Sequence, residues 1–216
     1  MATFSDIIKR VYYLRGDADY TTASTDLTII KSHINYAIKD ILNVYPFSWD
    51  LKTADLTLSS GAANLPTDYN PRWRICDARI TGSTAGDDYI FDEIDLISRD
   101  NYCSTDYKYW LTNNAGTYIF NTPVQTGTVT IYYYTLPTDL SSDNEVCLVP
   151  DGEAVAYLAA AKMWIGDERN QALKADYEQE ATARISQMYT QDINNGPTFY
   201  PRSLVADNSQ LNQRGN

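Results

Sequence analysis

Acid–base chemistry in this chain would have to begin at His33, its one histidine. An imidazole titrates near neutral pH and is the usual base beside a nucleophilic serine. His33 stands next to Ile34 in a stretch of helical period, between the polar and apolar sides, so a solvated or half-buried helix residue is the simpler reading. Asp17-x-Asp19, with Asp26 downstream, has part of the spacing of a calcium loop. Such a loop needs glycine at its sixth position and glutamate at its twelfth, where Thr22 and Thr28 stand, so turn and capping roles fit better. Asp92, Glu93 and Asp95 bring carboxyls together as paired-acid sugar chemistry requires, but acids at the start of a short helix are the commoner arrangement and the better reading. Arg72-Trp73-Arg74 suits stacking on a nucleobase, or cation–π packing at a strand end. The run Tyr132-Tyr133-Tyr134 reads as a sugar-stacking platform, a sheet surface or a subunit interface. Cys76, Cys103 and Cys147 are odd in number, far apart and without metal spacing, as fits a reducing compartment. There is no CxxC, HExxH or glycine-rich phosphate loop. No catalytic, metal-ligating or cofactor-binding residue is assigned, and the chain is not read as an enzyme.

Composition narrows the partners. With 216 residues and 44% hydrophobic content the chain can build a real core. No apolar run approaches the ~20 residues of a membrane helix, so no membrane partner is expected. The opening MATFSDIIKR lacks the basic-then-apolar pattern of a secretory signal. A net charge of −11 argues against holding nucleic acid by its phosphates. The 18 tyrosines, apolar bodies with polar tips, suit β surfaces and wet interfaces.

The elements follow from period. Phe4, Ile7, Ile8, Val11 and Leu14 form a helical stripe, with Thr3 and Asp6 placed for a cap and Gly16 for a stop. A second helix runs from about Asp26 to Tyr45 on Leu27, Ile30, Ile34, Ala37, Ile38, Ile41 and Leu42. Pro46 ends it, and Phe47 and Trp49 are expected to open a strand. From there to Leu148 the segments WDLKTADLTL, RWRICDARI, YIFDEI, YKYWL, TYIF and TVTIYYYTL read as strands. Turn compositions SSGAAN, TGSTAGDD, TNNAG and NTPVQTG separate them, and Glu93–Asn101 has room for a short helix. Pro150-Asp151-Gly152-Glu153 starts a thin, alanine-rich helix. Gly166-Asp167 breaks it, and a last helix runs from Glu168 to about Ile193. The fold class is α+β. A helical bundle (1–46 and 150–193) carries an inserted antiparallel β domain (47–149) and an extended C-terminal arm (194–216).

The order of these motifs resembles the head-to-tail adaptor proteins of tailed bacteriophages. The residues are the helix end at YPFSWDL, the strand with Leu56 and Leu58, the turn at Gly61 and the Leu65-Pro66-x-Asp68 element. TIYYYTLPTDL, the LVPDGEAVAYLAAAKMW helix and Gly166-Asp167 continue it. One departure is Asn64, where members commonly carry an aromatic. The resemblance implies a structural virion protein at the capsid vertex, made in the host cytoplasm. It implies a homo-oligomeric ring, usually a dodecamer, that joins the portal protein to a tail or nozzle protein. Genomic DNA passes through without sequence-specific binding. The arm would clasp the portal, and its spaced anchors are Phe199, Tyr200, Pro201, Arg202, Leu204, Val205, Leu211 and Arg214. A tyrosine-rich tail or receptor-binding module for carbohydrate is the alternative.

Overall fold

The computed structural model describes residues 1–16, 25–81, 88–163 and 171–195. It is an α+β chain with four α-helices and an eight-stranded sheet among those residues. The described residues of Met1–Asp50 and Pro137–Pro197 make one compact unit, and those of Leu51–Leu136 make another.

Helix α1 (Phe4–Arg15) starts on the expected capping box. The Thr3 hydroxyl accepts from the Asp6 N–H at 3.2 Å, and the Asp6 carboxylate accepts from the Thr3 N–H at 3.1 Å. Gly16, at φ 81°, closes the helix on the carbonyls of Tyr12 and Tyr13. Helix α2 (Thr25–Val44) buries Ile30, Ile34, Ala37, Ile38, Ile41 and Leu42. Helix α3 (Gly152–Met163) is held at its start by the Asp151 carboxylate, which accepts from the N–H groups of Glu153 at 2.9 Å and Ala154 at 3.4 Å. Alanines 154, 156, 159, 160 and 161 are all buried, so α3 is thin enough to pack against each of the other three helices. Helix α4 (Gln171–Asn195) joins the core through Tyr177, Ala181, Ile185 and Met188. Ala172 is exposed and the helix runs two residues past Ile193. The loop 17–24, the turn residues 82–87 and the break at Gly166-Asp167 lie outside the described residues.

The sheet consists of β1 (Leu51–Ser59), β2 (Ala62–Asn64), β3 (Asp77–Thr81), β4 (Asp88–Ile90), β5 (Asp92–Glu93), β6 (Lys108–Asn114), β7 (Thr117–Asn121) and β8 (Thr126–Tyr134). Their order is β4-β3-β8-β1-β2-β7-β6-β5. The two outermost strands are one stretch of chain, parted only by Phe91. The Phe91 N–H bonds the Ala78 carbonyl on one side, and the Asp92 N–H bonds the Tyr107 carbonyl on the other. The sheet therefore curls into a near-barrel, closed by residues 88–93 around Leu56, Leu58, Phe91, Phe120, Val129 and Ile131. Counting that stretch once, seven segments go round. Directions cannot alternate around an odd ring, so one neighbouring pair has to be parallel. That pair is β5–β6, where a wholly antiparallel unit was expected.

Other expectations change for local reasons. Phe47 and Trp49 do not open the strand. Phe47 is fully buried among the helices and Ser48–Asp50 is a 3-10 turn, so β1 begins at Leu51. RWRICDARI yields strand only at Asp77–Thr81, because the Asn70 carboxamide accepts from the Arg72 N–H and holds that end as a turn. β2 falls inside SSGAAN, a stretch read as turn alone. The helix expected from Glu93 is a 3-10 helix at Leu96–Asn101. Ser60 and Gly61 both have positive φ, 54° and 75°, the two-residue turn that matches strand twist. Ala115 and Gly116 repeat it between β6 and β7.

Candidate functional site

The motif residues do structural work that can be traced atom by atom. In the helical unit, Tyr45 stacks on Tyr189 of α4 with ring centroids 4.0 Å apart, and Phe47 stacks on Trp49 at 4.6 Å. Phe47 also meets Tyr189 edge to face. Asp192 accepts from the Ser48 N–H at 2.7 Å and from its hydroxyl. The YPFSW stretch thus clamps the last turns of α4 to the end of α2. Residues 137–149 strap the other side. Asn35 bonds both the N–H and the carbonyl of Leu140, at 2.9 and 3.1 Å, and Lys31 and Lys39 pair with Asp143 and Asp139. The first N–H groups of α1 donate into this strap, Phe4 to Glu145 and Ser5 to Asp143. Arg10 and Arg184 both lie within 6 Å of the Tyr157 ring centre, at 5.7 and 5.6 Å, and pair with Glu153 and Asp151.

In the sheet unit the node is Asp68 of the Leu65-Pro66-x-Asp68 element. Its carboxylate accepts from Lys52 of β1 at 2.8 Å and from the Tyr133 hydroxyl of β8 at 2.9 Å. Its carbonyl takes the Leu136 N–H. Burial alone would raise the Asp68 pKa, but the bonds from Lys52 and Tyr133, with the Lys52 charge, outweigh it and lower the value. A carboxyl lowered by folding contributes stability above its unfolded pKa, about 4, and that contribution is lost as pH falls through the folded value. Asp68→Ala is expected to cost about 2 kcal/mol at pH 7, from charge-assisted bonds lost and Tyr133 left short of a partner. Asp68→Asn should flatten the loss of stability below about pH 4. Urea melts at neutral and acid pH read both; a wild-type profile in either variant would remove Asp68 from the node.

The candidate chemical residues are dispersed. His33 is half-buried on α2, edge-on to Tyr36, and burial and the Lys162 charge hold it below the usual histidine range. Asp17, Asp19 and Thr22 lie outside the described residues, while Asp26 pairs with Arg15 at 3.8 Å and Thr28 is an exposed helix residue. Asp92 pairs with Lys108 at 2.7 Å, Glu93 faces Arg74 at 3.6 Å, and Asp95 precedes the 3-10 helix. Asp92 and Glu93 are thus each matched to a cation instead of to each other. Arg72 lies 5.7 Å over Trp73, the packing arrangement. Tyr133 and Tyr134 are buried and Tyr132 half-buried, so the run is sheet interior rather than an open platform. The Cys76 thiol is pushed up to about 11 by burial. Among the described residues no three His, Cys, Asp or Glu side chains gather to hold a metal.

Phe199, Tyr200, Pro201, Arg202, Leu204, Val205, Leu211 and Arg214 lie outside the described residues. What precedes them is described: α4 reaches Asn195, and its end is the part held by Ser48 and the Tyr45–Tyr189 stack. Sequence reasoning passed over Asp192 and Asn35. The one signal for either was a polar residue on a helix beside its apolar stripe. Comparison with curated proteins returns no match. Residues 2–202 match the family described as SU10 adaptor protein, a span that takes in all four helices and all eight strands. The chain belongs to that family, whose members are phage head-to-tail adaptors.

Proposed function

We propose that this protein is a non-enzymatic structural component of the virion, assembled as a ring at the capsid vertex between the portal and the tail or nozzle. The observation that carries this reading is family membership across both compact units. In the proposal twelve copies form the ring, built in the host cytoplasm onto the portal. Genomic DNA passes through it without sequence-specific contact. A chain charge of −11, multiplied around a ring, favours transit over retention of a polyanion. The helical unit is the ring-building body, the sheet unit (Leu51–Leu136) the inserted β domain, and 194–216 the arm that clasps the portal.

The arm reading rests on composition. Asn, Gln, Gly and Pro dominate after Ile193, and such a segment buries too little to order alone. Phe199, Tyr200, Leu204, Val205 and Leu211 are spaced anchors, and Arg202 and Arg214 add charged donors. Pro197 and Pro201 restrict the free chain and so reduce the entropy lost on docking. One arm binds weakly and a ring of arms binds by avidity. Truncation after Asn195 should leave the melting temperature within about 2 °C of the full chain, because the helical core is complete without the arm. It should abolish attachment to portal-filled capsids, seen by electron microscopy as vertices without the ring. Truncated protein that joins capsids as well as the full chain would sink the arm assignment.

A further inference from the structure

We propose that the contact between neighbouring copies is made by α2 of one copy seated on α4 of the next, an inference that rests on the ring reading above. Ile29, Tyr36 and Val44 are 48%, 55% and 52% exposed. Ile29 and Tyr36, seven residues apart, share a line of α2 roughly opposite the line of Ile30, Ile34 and Ile41 that fills the core, and Val44 stands at the flank between the two. Helix α2 is thus apolar on two faces, one of them open to water in a single copy. The open face carries no unbalanced charge. Its exposed acids, Asp26 and Asp40, pair with Arg15 and Lys162 from other helices.

Helix α4 presents the complementary relief. Its outward positions include Thr182, Ala183, Ser186 and Thr190, small and uncharged. The Thr182 and Thr190 hydroxyls donate to the carbonyls of Glu178 and Ser186 in their own helix, at 2.7 and 2.8 Å, so their donor hydrogens are already used. The charged residues of the same span are engaged elsewhere: Glu180 with Arg184, Arg184 with Asp151, and Asp192 with Ser48. Large side chains on one helix and small ones on the other allow axes to approach to about 8–10 Å.

Charge and geometry select a second copy as the occupant. Copies of a chain at −11 repel wherever acidic surfaces meet, and these two faces are where charge has been removed or matched. Two different faces on one molecule make a heterologous contact, which propagates and can close into a ring; a self-complementary face would stop at two copies. The exposed apolar residues of α2 span about 22 Å along the helix and a helix is about 10 Å wide, so one contact falls short of the ~800 Å² per partner of a stable pair. The contact therefore accumulates in the closed assembly instead of in free dimers.

The test uses the full chain on portal-filled capsids. In a Cys103→Ser background, Tyr36→Cys is combined in turn with Ala183→Cys and with Ser186→Cys, and the particles are oxidised and run on non-reducing denaturing gels. At least one pair should give a ladder of dimers, trimers and higher species, while controls with one introduced cysteine stop at dimer or monomer. Electron microscopy of the same particles reports the ring. A ring without a ladder from either pair overturns the inference and leaves the ring reading standing; particles without a ring overturn both. Separately, Tyr36→Glu and Ala183→Glu, at exposed positions, should keep wild-type melts yet lower capsid occupancy about tenfold or more. Wild-type occupancy in both would also overturn the inference.

Discussion

Ile41→Asp, and separately Ile34→Asp, unfolds the helical unit. Both side chains are fully buried, and both sit on the stripe of α2 that meets α3. A carboxylate placed there has no cation within its own core cluster, which is apolar throughout. Burying it unpaired, or protonating it to avoid that cost, takes several kcal/mol from a total stability of about 5–15 kcal/mol. Circular dichroism melts of both variants should show the helical transition lowered by well over 10 °C or absent at room temperature. Ile29→Asp on the same helix is the control. At 48% exposure it should cost under about 0.5 kcal/mol in the isolated chain. Equal melts for all three would mean that α2 does not face the core on that stripe.

Gly61→Ala should be the most damaging small change in the sheet unit. Gly61 has φ +75°, where an L side chain already costs about 1–2 kcal/mol. It is also crowded: a methyl there would run into the backbone carbonyl oxygen of Thr122. The backbone on both sides of that carbonyl is tied to Gly61 itself, because the Gly61 N–H bonds the Gln125 carbonyl and the Gly61 carbonyl takes the Thr122 N–H. The expected loss is about 3 kcal/mol or more, the strain plus overpacking. Gly116→Ala separates the two terms. It has φ +90° and open space around it, so it should lose only about 1 kcal/mol. Denaturant midpoints of the two variants should therefore differ clearly; equal midpoints would show that the turn yields at Gly61.

These contrasts mark where the sequence was legible. The stripe Phe4-Ile7-Ile8-Val11 and the box Thr3-Asp6 are local, and local physics places them to within a residue. The same holds for Asp151 before α3 and for Ser60-Gly61. Phe47 and Trp49 misled because aromatics favour strands, whereas here the deciding partner, Tyr189, lies at the far end of the chain. Closure of the near-barrel left no trace at all. It depends on strands of three and two residues pairing with β3, six residues back, and with β6, fourteen residues on. The Asp68 node unites residues 16 and 65 positions apart, so its motif could be noticed but not explained. The second stripe of α2 was written in the same period as the first. It passed unremarked because Ile29 and Tyr36 look like ordinary helix residues until the core is seen to be full without them. The proposed arm rests on composition only, since its anchors carry no period to fix a shape.

The closing stretch 88–93 has a consequence for a protein that, in our proposal, is concentrated many times over at one place. A sheet with two open edges offers rows of unpaired amide and carbonyl groups, and neighbouring molecules can zip onto them without limit. Here the strand that would have been one edge is continuous with the strand that would have been the other, and each satisfies a different neighbour. The open edges are thereby shortened, and β6 beyond Tyr109 pairs with β7 alone. The price is a parallel pair of two residues, the weakest seam in the wall. Strand exchange between crowded copies, if provoked by heat or mild denaturant, should therefore start at that seam, with the amides of Asp92 and Ile94, which bond the Tyr107 and Tyr109 carbonyls across it, the first of the sheet to lose protection from hydrogen exchange.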